Sequence, residues 1–141
     1  MIVDEFRAEH AIEILAGHDD PDRWEEQARI IEDSGKALTV FIDERPALCI
    51  GIIDIWDGLG EVWIVVSNEI TQRPVSIARG MRELLAEYFE YGGYRRIQSN
   101  VRADWDTARR FAKFVGMKEE GLMPSFGPDG ADYVRFAKVM T

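Results

Sequence analysis

Arg73-Pro-Val-Ser-Ile-Ala78 lies between a strand and a long helix, and its reading decides the fold. On its N-terminal side, Glu61-Val-Trp-Ile-Val-Val66 is apolar and rich in β-branched residues, as a strand requires. On its C-terminal side, Pro74 suits the first helical position. Ile77, Met81, Leu84, Leu85 and Tyr88 then fall on one stripe at helical spacing, up to a stop at Gly92-Gly93. A helix start leaves backbone N–H groups without internal partners and carries partial positive charge. Val75, Ser76 and Ile77 would present such groups, with Arg73, Arg79 and Arg82 adding charge, and a pyrophosphate can dock at a site of this kind. A Pro-initiated helix with solvated arginines is the ordinary alternative.

Working outward, Ala37 to Ile42 and Ala47 to Trp56 read as strands around a turn at Asp43-Glu-Arg-Pro46. Asp57-Gly-Leu-Gly60 closes a hairpin onto residues 61–66. Runs this apolar predict strands covered on both faces. Nearer the N-terminus, residues 1–6 read as a short strand, and Arg7 to Ala16 as a helix with Ala8, Ala11, Ile12 and Leu15 on one face. Gly17-His-Asp-Asp-Pro21 breaks that helix. Asp20 and Pro21 open the next, whose face is Trp24, Ala28 and Ile31 and whose end is Ser34-Gly35. Beyond the long helix come a strand from Tyr94 to Val101 and a helix over about 105–115 capped by Asp104. A loop at Pro124-Ser-Phe-Gly-Pro-Asp-Gly130 and a final strand from Asp132 to Val139 complete the chain. Two helices, a three-stranded meander and then α-β-α-β-β define a mixed α/β domain.

With 141 residues and no repeat or linker, a single domain with a substantial core is expected. A net charge of −9 argues against nucleic acid, because phosphate contact needs clustered Lys and Arg. An acidic surface suits a cationic partner such as an amine, and it equally serves solubility alone. The one cysteine, Cys49, sits in Ala47-Leu-Cys-Ile50 and reads as a buried thiol in a reducing compartment. Neither a signal peptide nor a membrane span is expected, so the cytoplasm is the default.

From about residue 36 onward the chain resembles the GNAT superfamily of acyl-CoA N-acyltransferases. That family's phosphate loop reads Gln/Arg-x-x-Gly-x-Gly/Ala; Arg73 and Ala78 match it, and Ser76 replaces the first glycine. The family's second signature fits at Ala108, Gly116 and Met117, whereas Trp105 replaces its Asn and Ala112 stands where many members carry a tyrosine. More specifically, Leu48-Cys-Ile-Gly51, then Val62-Trp-Ile-Val-Val-Ser-Asn68, then the long helix resembles GNAT-like proteins of short-tailed phages, the internal core or virion protein family. The resemblance implies one GNAT-like domain over residues 1–141, a mixed central sheet with helices on both faces. It implies acetyl-CoA as cosubstrate, held by Arg73, Val75, Ser76, Ile77, Ala78 and Arg79 at the pyrophosphate. Backbone N–H groups about Val65, Val66 and Ser67 would hold the acyl carbonyl and pantetheine, where the fourth and fifth strands splay. Two functions follow: acetyl transfer to a small amine or protein amine, or an inert fold serving phage-type protein contacts. A second copy of the chain or a phage protein is then the expected partner.

Amine acetylation needs a base and a proton donor for the leaving thiolate. Glu61 and Asp54 are the candidate bases. Glu61 is also explained as a solvated turn residue, whereas Asp54, amid apolar neighbours, would be a buried carboxylate in need of a partner. Tyr133 is the candidate proton donor, with core packing as its alternative. His10 reads as a surface helix residue and His18 as a turn residue; no zinc motif accompanies them. Trp24, Trp56, Trp63 and Trp105 read as core or cleft wall.

Overall fold

The computed structural model describes residues 2–15, 28–33, 36–67 and 74–140. Its strands are β1 (Ile2–Glu5), β2 (Ala37–Ile42), β3 (Arg45–Trp56), β4 (Leu59–Val66), β5 (Arg96–Arg102), β6 (Lys118–Met123) and β7 (Tyr133–Val139). Its helices are α1 (Ala8–Leu15), α2 (residues 28–33), α3 (Pro74–Tyr91) and α4 (Asp106–Phe114). The seven strands form one sheet in the order β1-β2-β3-β4-β5-β7-β6. β4 and β5 pair in parallel, whereas β1–β2, β2–β3, β5–β7 and β6–β7 are antiparallel, so the sheet is mixed as expected.

Turn chemistry sets several boundaries. Asp43 and Glu44 both take positive φ (51° and 66°), which lets a two-residue turn join β2 to β3; the strand therefore begins at Arg45, inside the expected turn. α3 spans the residues that its Pro74 start and Gly stop predict. α4 departs from expectation at its start. Trp105, not Asp104, is its N-cap and gives no side-chain cap, because the Asp104 carboxylate instead accepts from Arg102 Nε at 2.9 Å. At the other end Gly116, at φ +97°, lets its own N–H reach Lys113 O (3.1 Å) and the Met117 N–H reach Ala112 O (3.0 Å). Those two bonds form a Schellman stop, which a Cβ at this φ would strain.

The residues fall into two compact units. The first is Met1–Ile53 with Val62–Pro74, and the second is Asp54–Glu61 with Val75–Thr141. In the first, Phe6, Ala8, Ala11, Ile14, Ala28, Ala37 and Cys49 form a buried cluster, with Ile12, Ile31, Trp63 and Val65 packed against it. Small residues let the backbones approach: a Cβ on Gly51 would lie 2.6 Å from the Trp63 ring and 2.8 Å from Lys36 O. Glu32 of α2 accepts the Ala8 N–H at 2.5 Å and so satisfies a free donor at the start of α1.

The expectation of strands covered on both faces holds for only part of β3. Residues 46–52 are buried, but Ile53, Ile55 and Trp56 are 41%, 43% and 64% exposed. An apolar β-branched run specifies a strand, while its covering depends on what packs over each residue, so Trp56 is surface rather than core. Trp24, His18, Asp20, Pro21 and Arg73 lie outside the described residues, as does the Tyr88 side chain.

Cys49 is fully buried, as expected, and burial pushes its thiol up to about 11; the Thr39 hydroxyl lies 3.6 Å away. His10, expected at the surface, is half-buried. Its Nδ1 accepts the Arg7 N–H (3.1 Å) and lies 2.8 Å from Thr39 Oγ1, and Phe41 meets the ring edge-on at 5.0 Å. Burial lowers its pKa from the ordinary 6.5, ahead of the opposing pull of Glu9 and the weaker effects of Arg7, Asp4 and Glu13. The stability due to neutral His10 is therefore complete above 6.5. It is lost as pH falls from there toward the lowered folded value, because the unfolded chain binds the proton first. Thermal unfolding followed from about pH 7.5 to 5.5 should show Tm falling, and His10→Gln should flatten that fall. An identical slope in the variant would assign the effect elsewhere.

Candidate functional site

The register of the second unit sorts its side chains onto two faces. β5 and β7 pair Ile97 with Lys138, Ser99 with Phe136 and Val101 with Val134, and these residues share one face. The helices of that unit meet this face. The Phe89 ring of α3 lies 5.0 Å from Lys138 Nζ, and Ser99 Oγ reaches Met117 Sδ just past α4 at 3.4 Å. The opposite face carries Gln98 with Ala137, Asn100 with Arg135 and Arg102 with Tyr133; the parallel ladder adds Glu61 beside Gln98.

On that second face the side chains form a polar chain. Glu61 is half-buried, and its Oε1 accepts from Asn100 Nδ2 (3.2 Å) and Gln98 Nε2 (3.4 Å). Asn100 Oδ1 in turn accepts from Arg135 Nε at 2.8 Å, and Gln98 Oε1 from Arg96 Nε at 2.9 Å. Arg96 also grips Glu120 through both terminal nitrogens, and those hydrogen bonds hold the Glu120 carboxyl below its usual range. The two amides act as spacers: among the described residues no cation forms an ion pair with Glu61. A carboxylate so placed is oriented by neutral donors and keeps Oε2 available.

The other candidates are distributed differently. Asp54, expected as a buried carboxylate, is exposed, and it accepts the phenol proton of buried Tyr94 at 2.5 Å. Its apolar neighbours Ile53 and Ile55 are themselves at the surface, which is why the inference of burial failed. Glu61 belongs to the ladder rather than to a solvated turn. Tyr133 is half-buried against Phe126 (5.4 Å between rings), at the Arg102 end of the same face; its rung is two same-face steps, roughly 13 Å of strand, from that of Glu61. Gln98, Asn100 and Arg135 were absent from the sequence-based candidates. The one signal for Gln98 and Asn100 is the period-two polar row Arg96, Gln98, Asn100, Arg102 within an otherwise ordinary strand.

The cofactor candidates lie in separate elements. Val65 packs on the first unit's core, and Val66 is half-buried. The Ser67 N–H, expected as a free donor, is spent on Ala47 O at 2.8 Å, because the chain keeps one more bond to β3 after β4 ends. Its hydroxyl, by contrast, is buried without a hydrogen-bond partner among the described residues. At the start of α3, Val75 and Ser76 are exposed, Ile77 is buried and Ala78 half-buried; no acidic residue occupies the first turn. Arg79 is exposed and without a partner among the described residues, while Arg82 lies over the Phe114 ring at 5.6 Å. Trp105 is 48% exposed and Ala112 is buried.

The β4–β5 ladder runs Leu59–Arg96, Gly60–Ile97 and Glu61–Gln98, and β4 continues for five residues beyond it. No family model and no curated protein sequence matches the chain. Solved structures do. The chain is similar to a GNAT-family acetyltransferase from Bacillus anthracis at 15% identity, over 97% of its own length and 93% of the other, with a TM-score of 0.72. It is similar to RimL, the ribosomal L7/L12 alpha-N-protein acetyltransferase in complex with coenzyme A, at 14% identity, with 98% and 93% covered and a TM-score of 0.76. A spermidine N-acetyltransferase SpeG chimera from Vibrio cholerae and hSSAT gives 14%, 99% and 96% covered, and 0.73. The fold is that of the GNAT acyl-CoA N-acyltransferases.

Proposed function

We propose that the chain, working as one domain over residues 1–141, is an acetyl-CoA-dependent N-acetyltransferase that transfers the acetyl group directly to an amine. The observation that carries this reading is Glu61, a half-buried carboxylate held by two amide donors and ion-paired to no cation among the described residues. Such a group can take a proton from an ammonium, directly or through one water. The fold's relatives support the cosubstrate: RimL was solved with coenzyme A.

The residues present fit that cosubstrate. The first turn of α3 has exposed positions, no acidic side chain and, one turn on, Arg79 without a partner among the described residues, which suits a pyrophosphate at Val75, Ser76, Ile77, Ala78 and Arg79; Arg73 is added from the sequence alone. The Ser67 hydroxyl, beside Val65 and Val66 in the chain, is a buried donor without a partner among the described residues, and it is assigned the acyl or pantetheine carbonyl in place of the Ser67 N–H. When bound, acetyl-CoA supplies the acyl thioester. Glu61 Oε2 receives the ammonium proton, and Gln98 and Asn100 keep the carboxylate aimed; Tyr133, roughly 13 Å along the strand from that rung, is left out of the step, and the leaving thiolate takes its proton from solvent. Asp54, committed to Tyr94, has no part in this scheme.

Titration calorimetry with acetyl-CoA and with CoA tests the reading, together with release of free thiol in the presence of amines. Micromolar binding is expected. The double variant Arg73→Glu, Arg79→Glu should weaken it at least about tenfold, equivalent to ~1.4 kcal/mol. Unchanged affinity in that variant would move the pyrophosphate elsewhere. No binding at millimolar ligand would leave the inert, phage-type interaction protein as the better account.

A further inference from the structure

Glu61 has a counterpart that proton transfer does not use. Arg135 is half-buried on β7, its Nε is spent on Asn100 Oδ1, and its two terminal nitrogens carry no hydrogen bond among the described residues. Among the described residues no carboxylate forms an ion pair with it. Glu120, whose carboxyl feels the Arg135 charge, is already gripped by Arg96. Opposite charges thus sit on one face, half removed from water and one carboxamide apart, without pairing to each other. Neither charge is taken up in a direct ion pair among the described residues, and a ligand of reversed polarity would pair with both at once.

The neighbouring β6 strand adds no side chain over this face at the Arg135 rung. Gly121 of β6 pairs directly with Arg135 and shares its face, and a Cβ built on it meets nothing within 4 Å. The side chain of Arg135 is directed toward Asn100 on β5, and the guanidinium edge not used there has the planar fork that matches a carboxylate. The net charge of −9 offers an anionic group no long-range attraction, so its recognition must be local.

We infer that this face binds a zwitterion: the ammonium at Glu61 and a carboxylate at Arg135, separated by a short chain. The acceptor class is then a small amino acid rather than a simple amine or polyamine. As a statement about the acceptor this rests on the acetyltransferase reading above; as a binding site it does not.

Matched ligands test it: γ-aminobutyrate against butylamine, and alanine against alaninamide. Binding to the cofactor-free protein is measured by calorimetry or saturation-transfer NMR, and turnover is measured separately with acetyl-CoA. The carboxylated member of each pair should bind at least about tenfold more tightly. Arg135→Gln should abolish that preference while leaving acetyl-CoA affinity unchanged, with a cooperative thermal melt showing that the variant is folded. Equal binding within the pairs, a preference that survives Arg135→Gln, or no binding of any of the four would overturn the inference. Acetylation of butylamine as fast as γ-aminobutyrate would sink it and leave acetyl transfer standing. Binding of γ-aminobutyrate through Arg135 without any acetyl-CoA binding would do the reverse, keeping the zwitterion site and removing the transfer.

Discussion

Glu61→Gln is expected to lower kcat by about 100-fold or more, with the affinity for acetyl-CoA unchanged. The substitution removes the proton acceptor and little else. Gln98 Nε2 and Asn100 Nδ2 both donate to one oxygen of Glu61, and the carboxamide oxygen of glutamine can accept the same two bonds. Fold stability should stay within about 0.5 kcal/mol, as for ordinary substitutions without cavity or strain. Glu61→Ala is the less informative variant. It would strand two partly buried amide donors, at a cost of roughly 1–3 kcal/mol, and mix instability with lost chemistry. Single-turnover measurements at saturating acetyl-CoA separate the chemical step from binding. A kcat within threefold of wild type would demote Glu61 to a latch between β4 and β5 and send the search for a base elsewhere on that face.

What could be read in advance follows from the range of each signal. α3 was legible end to end because its start, stripe and stop are local: Pro74, the apolar spacing, and the glycines past Tyr91. Even so, Phe89 lies on its buried side, which the apolar stripe as first drawn ended short of. The β2–β3 meander was legible for the same reason. Three misreadings share another cause. Asp104, His10 and Asp54 each depend on a side-chain partner that the local pattern does not name: Arg102, two residues back, for Asp104, Thr39 and Phe41 for His10, and Tyr94 for Asp54. The polar face was the hardest to see. Glu61, Gln98, Asn100 and Arg135 come from three strands, and only the register brings them together, since a slip of one residue on β5 would turn Gln98 and Asn100 to the helix side. Glu61 could be suspected because charge in an apolar strand stands out; Arg135, within Tyr133-Val-Arg-Phe-Ala-Lys-Val139, looks like any surface position of an alternating strand.

That alternation also makes β7 the strand on which the second unit depends, and Phe136→Ala should expose it. Phe136 is fully buried and heads the largest buried side chains; it pairs with Ser99 on one side and Glu119 on the other, on the face that α3 and α4 meet. Truncation removes the ring's transfer free energy and leaves a void that a close-packed interior closes only in part. The expected loss is ~3–5 kcal/mol, which at this chain length lowers Tm by roughly 10 °C. Phe136→Leu keeps most of the volume and should cost less than about 2 kcal/mol. The pair of variants also separates packing from chemistry. Arg135 points to the opposite face from Phe136, so the leucine variant should retain whatever ligand preference Arg135 confers while unfolding at a lower temperature. Denaturant and thermal melts of both proteins decide the matter. A loss below 1 kcal/mol for Phe136→Ala would mean that the helices do not close over β7, and the assignment of the two faces would fall with it.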